Sequence, residues 1–497
     1  MAVDGSQCLS ADGGNMYLGI DLGTSGVKTL IIDDKQQIVA SATADLKVSR
    51  PSAGWSEQDP ADWIEATRSA VGKLKVTSPV SLAEVSAIGL SGQMHGATLI
   101  DADDGVLRPC MLWNDTRAHA EAAQLDADPK FRAISGNIVF PGFTAPKLLW
   151  VKNNEPDIFS KIAKVLLPKD YLRLWLTGEH ISEMSDASGT SWLDVGNRRW
   201  SAELLAASSM DADQMPRLVE GSQAGGALRL EIAMEWGMRP GTVVAGGAGD
   251  NAATAMGMGT IADGSAFVSL GTSGVIFAAN DVYRPEPESA VHAFCHALPD
   301  RWHQMGVILS ATDSLNWFAA LVGKSAASLT QELGETLREP QGLFLPYLSG
   351  ERTPHNDAAI RGILTGVSLD TDTAAITASI LQGVAFAFRD SLEALQATGT
   401  GIERLVASGG GSRSDYWLRT IATALNVPID VPAAGDVGAA FGAARLAMLA
   451  AGRASLASCT PPPVDRSIEP VTLMRQAYED AYQQYRETYP AIRSTIR

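Results

Sequence analysis

A hexapeptide occurs twice in this chain: residues 22–27 and residues 270–275 both read Leu-Gly-Thr-Ser-Gly-Val. The copies lie almost half a chain apart, and each follows one short apolar run and precedes another. That pattern is strand, tight turn, strand, and its recurrence points to a duplicated domain. In such a turn the two glycines free the backbone to aim N–H groups into the bend, and the hydroxyls add donors. Both turns therefore suit phosphate. Only the first copy has an acid before it, Asp21. An unpaired carboxylate at the end of a buried strand is costly, so Asp21 is expected to face a cleft and a cation. Taken singly, each turn is equally well explained as an ordinary Gly-rich hairpin with Asp21 as a local turn-former. The duplication is what favours one ligand shared between two halves.

The remaining bounds are set by size and charge. A chain of 497 residues exceeds what one hydrophobic core supports, and 45% hydrophobic with 19% charged residues is a globular composition. The net charge of −17 argues against a nucleic-acid partner, which needs a basic footprint. An anionic nucleotide must then be held by backbone amides, a divalent cation and a few placed bases. Cys8, Cys110, Cys295 and Cys459 show no metal-binding or redox spacing, which fits reduced thiols in a cytoplasmic protein. Residues 1–15 are polar and acidic and read as a flexible leader, and no apolar run is long enough for a membrane span.

Several stretches carry candidate chemistry. Asp59 and Pro60 open a helix whose buried face is Trp63, Ala66, Ala70 and Leu74. Residues 85–92 form a strand that ends in the loop Gln93, Met94, His95, Gly96. Loops at strand ends are where ligands are met, so Met94 and His95 are candidates for substrate contact, with core packing as the alternative. Residues 141–146 break the pattern ahead of a helix from Lys147, and residues 170–176 and 185–192 read as an insertion decorating the first domain. Residues 243–245 run into Gly246, Gly247 and Gly249, which deliver Asp250 and Asn251 to a helix start. Asp250 is there either a site carboxylate or merely an N-cap.

In the second half, residues 373–395 are apolar nearly all round, as expected of a buried helix running between domains. Residues 405–408 lead into Gly409, Gly410 and Gly411 and a helix from about Ser414, an arrangement that suits an anion or a nucleotide edge. Residues 437–450 form the last helix of that domain, Pro461 to Pro463 a linker, and Met474, Tyr478, Ala481, Tyr482, Tyr485 and Tyr489 one face of a docking helix.

Together these stretches resemble the FGGY family of carbohydrate kinases over nearly the whole chain from Met16, and within it the members that act on D-xylulose. The resemblance rests on residues 19–28, 91–99, 112–115, 141–150, 167–174, 246–253, 269–274 and 344–355. It implies an α/β fold of two duplicated ribonuclease-H-like domains, as in actin-like ATPases, flanking a catalytic cleft. The domains expected are 16–258, with the sugar site and catalytic Asp, and 259–450, with the nucleotide site, followed by linker and docking helix over 451–497. It implies transfer of a phosphoryl group from ATP to D-xylulose with Mg²⁺. Asp250 would be the general base and Asp21 the acid holding the metal. Gln93, Met94, His95, Asp250 and Asn251 would line the sugar site. Thr24, Ser25, Gly271 and Thr272 would meet the phosphates, and Gly410, Gly411 and Ser414 the adenosine. Lys28 is the nearest cation to help there, or equally a surface lysine. The resemblance also suggests a homodimer. Residues 322–341 fit it poorly. Gln93-Met94-His95 separates the chain from the family's glycerol enzymes, which carry a charged pair there. The rivals are another ketose, a polyol, or an actin-like or chaperone-type ATPase that has no use for a base beside a sugar pocket.

Overall fold

The first hexapeptide turn joins strands β1 (Met16–Leu22) and β2 (Gly26–Asp33), and a second hairpin leads to β3 (Ile38–Asp45). These observations come from a computed structural model that describes residues 14–433 and 437–494. Of the expected leader, residues 1–13 lie outside the described residues, and Asn15 is tied to Asp34 and Ser86. Helix α1 (Pro60–Thr77) starts as its sequence predicts, with the Asp59 side chain accepting from the Ala61 N–H. Trp63, Ala66, Ala70 and Leu74 are buried against the sheet. Strand β4 (Val85–Gly92) then pairs parallel to β1.

Two helices complete this lobe's walls, α2 (Thr144–Asn154) and α3 (Pro168–Thr177). Helix α2 begins three residues earlier than residues 141–146 suggest. Pro146 sits within its first turn, where a missing N–H costs no intrahelical bond. Helix α3 is no surface decoration: Leu172 and Leu176 belong to the core that includes β1 and β4. Strands β5 (Ala224–Ala227) and β6 (Val243–Ala245) close the sheet in the order β5-β6-β4-β1-β2-β3, and Ala248–Gly249 adds a short segment beside the end of β4. Helix α4 (Asp250–Met258) follows directly.

The second sheet repeats the first. Strands β7 (Ala266–Leu270), β8 (Gly274–Asn280), β9 (His292–Cys295) and β10 (Trp302–Ile308) form an antiparallel set through the second hexapeptide turn. After helices α5 (Thr312–Val322), α6 (Ala326–Glu332) and α7 (Thr373–Ala397), strand β11 (Leu405–Ser408) pairs parallel to β7. Helix α8 (Asp415–Leu425) and strand β12 (Ile429–Pro432) come next. Helix α9 (Ala439–Ala450), strand β13 (Val464–Ile468) and helix α10 (Arg475–Arg493) end the described chain. The order β10-β8-β7-β11-β12-β13 reproduces β3-β2-β1-β4-β6-β5 strand for strand and direction for direction, with β9 added outside. This is the duplicated α/β fold of mixed sheets that the repeated turn and the resemblance imply.

Two helices lie elsewhere than the sequence suggests. Helix α7 does not run between the lobes; its apolar faces fill the second lobe's own core, with Ile380, Leu381 and Val384 fully buried. The element that crosses is α9, which comes from the second half and lies on β1 and β4 of the first sheet. It approaches so closely that a Cβ on Gly19 would stand 1.9 Å from the Ala440 carbonyl oxygen, and one on Gly89 1.8 Å from that of Ala443. The stretch after 451, read as a linker, contributes the edge strand β13. Helix α10 docks as its tyrosine stripe predicts: Tyr478, Tyr482 and Tyr485 are buried around Phe386. Among the described residues no helix is long and apolar enough to cross a membrane.

Candidate active site

The ends of three neighbouring strands bring the acids together. Asp21 stands beside Ser91 across the β1–β4 pair, and Ser91 stands beside Ala248 on its other side. One step further along, Leu22, Gly92 and Gly249 align in the same way, so Asp250 emerges next to the first hexapeptide turn. Burial raises the Asp21 carboxyl above the usual carboxylate range, with Ser91 and Lys28 pulling the other way. Lys28 is the cross-strand partner of Asp21 on β2. Asp250 is raised to about 6, first by burial and then by the charge of Asp21. Its Oδ1 accepts from the Asn251 N–H (2.7 Å) and from Asn251 Nδ2 (2.9 Å). The N-cap position belongs to Gly249, so Asp250 is not merely a cap.

Met94 and His95 face the same place from the loop after β4. Met94 is buried and packs on Gly249, where a Cβ would stand 2.9 Å from its Sδ. His95 has φ +68°, a left-handed backbone unusual for a non-glycine residue. Its carbonyl is held by Lys147 Nζ (2.9 Å) and Thr144 Oγ1 (3.1 Å). The ring stacks on Phe143 at 4.4 Å, and Nδ1 donates to the Gly189 carbonyl at 2.7 Å. Burial lowers its pKa to about 3. The ring is therefore neutral with Nε2 left as an acceptor. Gly189 is required at its position, since a Cβ there would stand 2.4 Å from the imidazole.

Gln93 is engaged at the first turn. Its Oε1 accepts from Thr24 Oγ1 and its Nε2 donates to Gln58 Oε1, both at 3.0 Å. Trp113 Nε1 donates to the same Thr24 hydroxyl (3.0 Å), so that hydroxyl is engaged in bracing the turn. Ser25 at the turn's tip is exposed.

The wall behind Asp250 was not legible from sequence. Residues 170–176 and 185–192, read as an insertion decorating the first domain, help to hold it. Arg173 donates to the carbonyls of Ala245 and Gly246, and Ser185 Oγ accepts from the Gly249 N–H (3.1 Å). Ser185 is fixed by Glu183, and Lys169 Nζ, fully buried, reaches Asp170 (2.7 Å), Asp186 (2.9 Å) and Glu183 (3.3 Å). No local pattern signalled this cluster, because Lys169 and Asp170 meet Glu183 and Asp186 only through the fold.

The second turn faces a separate hollow. Thr312 binds the Gly271 carbonyl through its N–H (3.0 Å) and Oγ1 (2.8 Å). Thr272 is exposed, and Gly409, with φ +85°, packs against Leu270. Beside them lies a cavity of about 620 Å³ lined by Thr312, Asn316, Thr330, Gly410, Gly411 and Ser414. Ser414 caps α8, accepting from the Trp417 N–H. Residues 326–335, within the stretch that fits the resemblance poorly, form the opposite wall.

Comparison with known proteins accords with this architecture. Residues 16–257 match the N-terminal domain of the FGGY family of carbohydrate kinases, and residues 266–451 match its C-terminal domain. The chain belongs to the FGGY family of carbohydrate kinases. It is 48% identical to the xylulose kinase of Escherichia coli (strain K12) over 96% of this chain and 99% of that one. To the xylulose kinase of Klebsiella pneumoniae it is 49% identical over 88% of this chain and 90% of the other. The crystal structure of a xyloylose kinase from Brucella ovis superposes with a TM-score of 0.96 at 63% identity, covering 97% of this chain and all (100%) of that chain.

Proposed function

We propose that this protein transfers the γ-phosphoryl group of ATP to D-xylulose, giving D-xylulose 5-phosphate and ADP. The carrying observation is Asp250: a carboxylate raised to about 6, at the end of the first sheet, beside the first hexapeptide turn and Met94 and His95. The substrate rests on the relatives of 48% and 49% identity that are xylulose kinases.

Asp250 accepts the proton of the C5 hydroxyl as that oxygen bonds to the γ-phosphorus and the bond to the ADP oxygen breaks. A base near the operating pH suits this step, since it is ionised at neutrality yet still takes a proton. Asn251 fixes the carboxylate through Oδ1. Neutral His95 accepts a sugar hydroxyl at Nε2, and Met94 packs on the carbon chain. Ser25, Gly271 and Thr272 offer donors to the phosphates, with Lys28 beside Asp21. Gln93 and Thr24 brace the turn. Gly410, Gly411 and Ser414 border the hollow suited to adenosine.

Asp21 fits Mg²⁺. Its Oδ1 is buried without a hydrogen-bond partner, and among the described residues no group of three or more His, Cys, Asp or Glu forms a metal cage. Mg²⁺ is typically held by one or two carboxylates together with substrate phosphates. When bound it neutralises charge on the phosphate oxygens.

The test is ADP release across a panel of D-xylulose, D-ribulose, glycerol and pentitols. D-Xylulose is expected to have the highest kcat/KM. A higher value for another sugar would replace the substrate, and ATP turnover indifferent to any sugar would favour the actin-like ATPase reading.

A further inference from the structure

A cation from the second lobe lies close to His95. The segment holding Arg352 lies along the end of β10: the Thr353 N–H donates to the Val307 carbonyl and the Val307 N–H to Thr353 Oγ1, both at 3.0 Å. Glu351 anchors it, accepting at Oε1 from the N–H groups of Leu309 (3.0 Å) and Arg352 (2.8 Å). The Arg352 guanidinium then lies over the ring of Phe140 at 4.4 Å, and its Nη1 donates to His292 Nε2 at 3.3 Å. Phe140 and His292 both touch Phe143, on which His95 stacks. Arg352 thus lies on the far side of this aromatic cluster from His95, close enough for its charge to act on that ring.

Arg108, Arg117 and Arg198, largely buried, each pair with a carboxylate within 2.7 Å. Among the described residues no carboxylate lies within ion-pair distance of Arg352, Glu351 being the carboxyl whose charge acts on it, and His292 is uncharged because burial holds its pKa well below the ordinary value. Arg352 is half-buried, and its guanidinium has donors beyond the one given to His292.

We infer that Arg352 recognises the ketone of the sugar, donating to the C2 carbonyl oxygen while His95 Nε2 accepts the C1 hydroxyl proton. This deepens the proposed function and rests on it. With C5 at Asp250, a five-carbon chain places its carbonyl end toward His95. A ketone oxygen only accepts, whereas the hydroxyl of the corresponding pentitol also carries a proton. A donor-only guanidinium beside an acceptor-only imidazole nitrogen matches an α-hydroxyketone and discriminates against the alcohol. Because Arg352 belongs to the second lobe, the same contact ties sugar occupancy to lobe approach.

The experiment compares wild type with Arg352→Gln and Arg352→Lys, measuring kcat/KM for D-xylulose and for its two reduction products, xylitol and D-arabinitol. Arg352→Gln is expected to raise KM for D-xylulose about ten- to a hundredfold, the range for losing a hydrogen bond from a charged group. The preference for ketone over pentitol is expected to fall by a similar factor. Arg352→Lys, which keeps the charge but not the fork, is expected to fall between. Binding of a non-hydrolysable ATP analogue, followed calorimetrically, shows that each variant is folded. A folded variant that keeps the wild-type ketone-to-pentitol ratio within twofold overturns the inference, and Arg352→Lys decides it where Arg352→Gln does not fold. Wild-type enzyme that ignores D-xylulose would instead overturn the substrate itself, a separable outcome.

Discussion

Asp250 and Asp21 share a strand-end environment yet differ in their hydrogen bonding. Asp250 receives two hydrogen bonds from Asn251, whereas Asp21 Oδ1 receives none. Two consequences follow at this scale. With the Asp250 pKa near 6 in the free enzyme, kcat/KM for the sugar should fall with unit slope below about pH 6, as a pH profile would show. A buried carboxyl whose folded pKa is raised binds more protons than the unfolded chain between about pH 4 and 6, so its ionisation lowers stability as pH rises through that window. Asp250→Asn should therefore melt above wild type at pH 8, with the gap narrowing toward pH 4; an equal gap at both pH values would contradict the assigned shift. Asp21→Asn should raise the Mg²⁺ concentration needed for half-maximal rate by about 10- to 100-fold, the scale of losing a group that supports a metal site. An unchanged Mg²⁺ dependence would remove Asp21 from that role.

Elements explain why some of the site was readable and some was not. The hexapeptide turns, the strand ending at Gly92 and the Gly-rich approach to Asp250 announce themselves because each is a short local pattern of apolar run and glycine. Asp59-Pro60 marks a helix start for the same reason. Local patterns do not reveal which distant side chains meet. Lys169, Glu183 and Asp186 find one another only because α3 and the short segment after it are folded against the Gly249 turn. The position of Arg352 depends likewise on its segment pairing with β10. Helix α7 misled for a related reason: a helix apolar all round must be buried, but the pattern does not say in which lobe. The charge cluster supplies this scale's prediction. Lys169→Met would leave Asp170, Glu183 and Asp186 with Arg173, 4.0 Å from Asp170, as their remaining cation. The expected loss is about 3–5 kcal/mol in urea unfolding, as for breaking a buried ion pair. A loss below about 1 kcal/mol, as for an exposed pair, would mean the cluster is not buried in solution.

For the whole molecule, α9 is the joint. It belongs to the second half of the sequence but rests on the first sheet, and its contacts with β1 and β4 run through Gly19 and Gly89. Ala at Gly89 would drive a Cβ into the Ala443 carbonyl. Gly89→Ala should destabilise the protein by about 1–3 kcal/mol through overpacking, measured as a lower urea midpoint. With one hexapeptide turn per lobe, closure over sugar and nucleotide would exclude water from the phosphoryl group. Small-angle scattering should show a smaller radius of gyration with D-xylulose and a non-hydrolysable ATP analogue together than with neither; identical profiles would argue against closure.

The central claim is that Asp250 is the base for phosphorylation of D-xylulose, and D-xylulose-dependent ADP release by Asp250→Ala tests it most directly. General-base catalysis contributes about 10²- to 10⁴-fold, so the sugar-dependent rate should fall by about three orders of magnitude while the variant still binds nucleotide. A variant that retains most of the wild-type rate would contradict the account and require a different base.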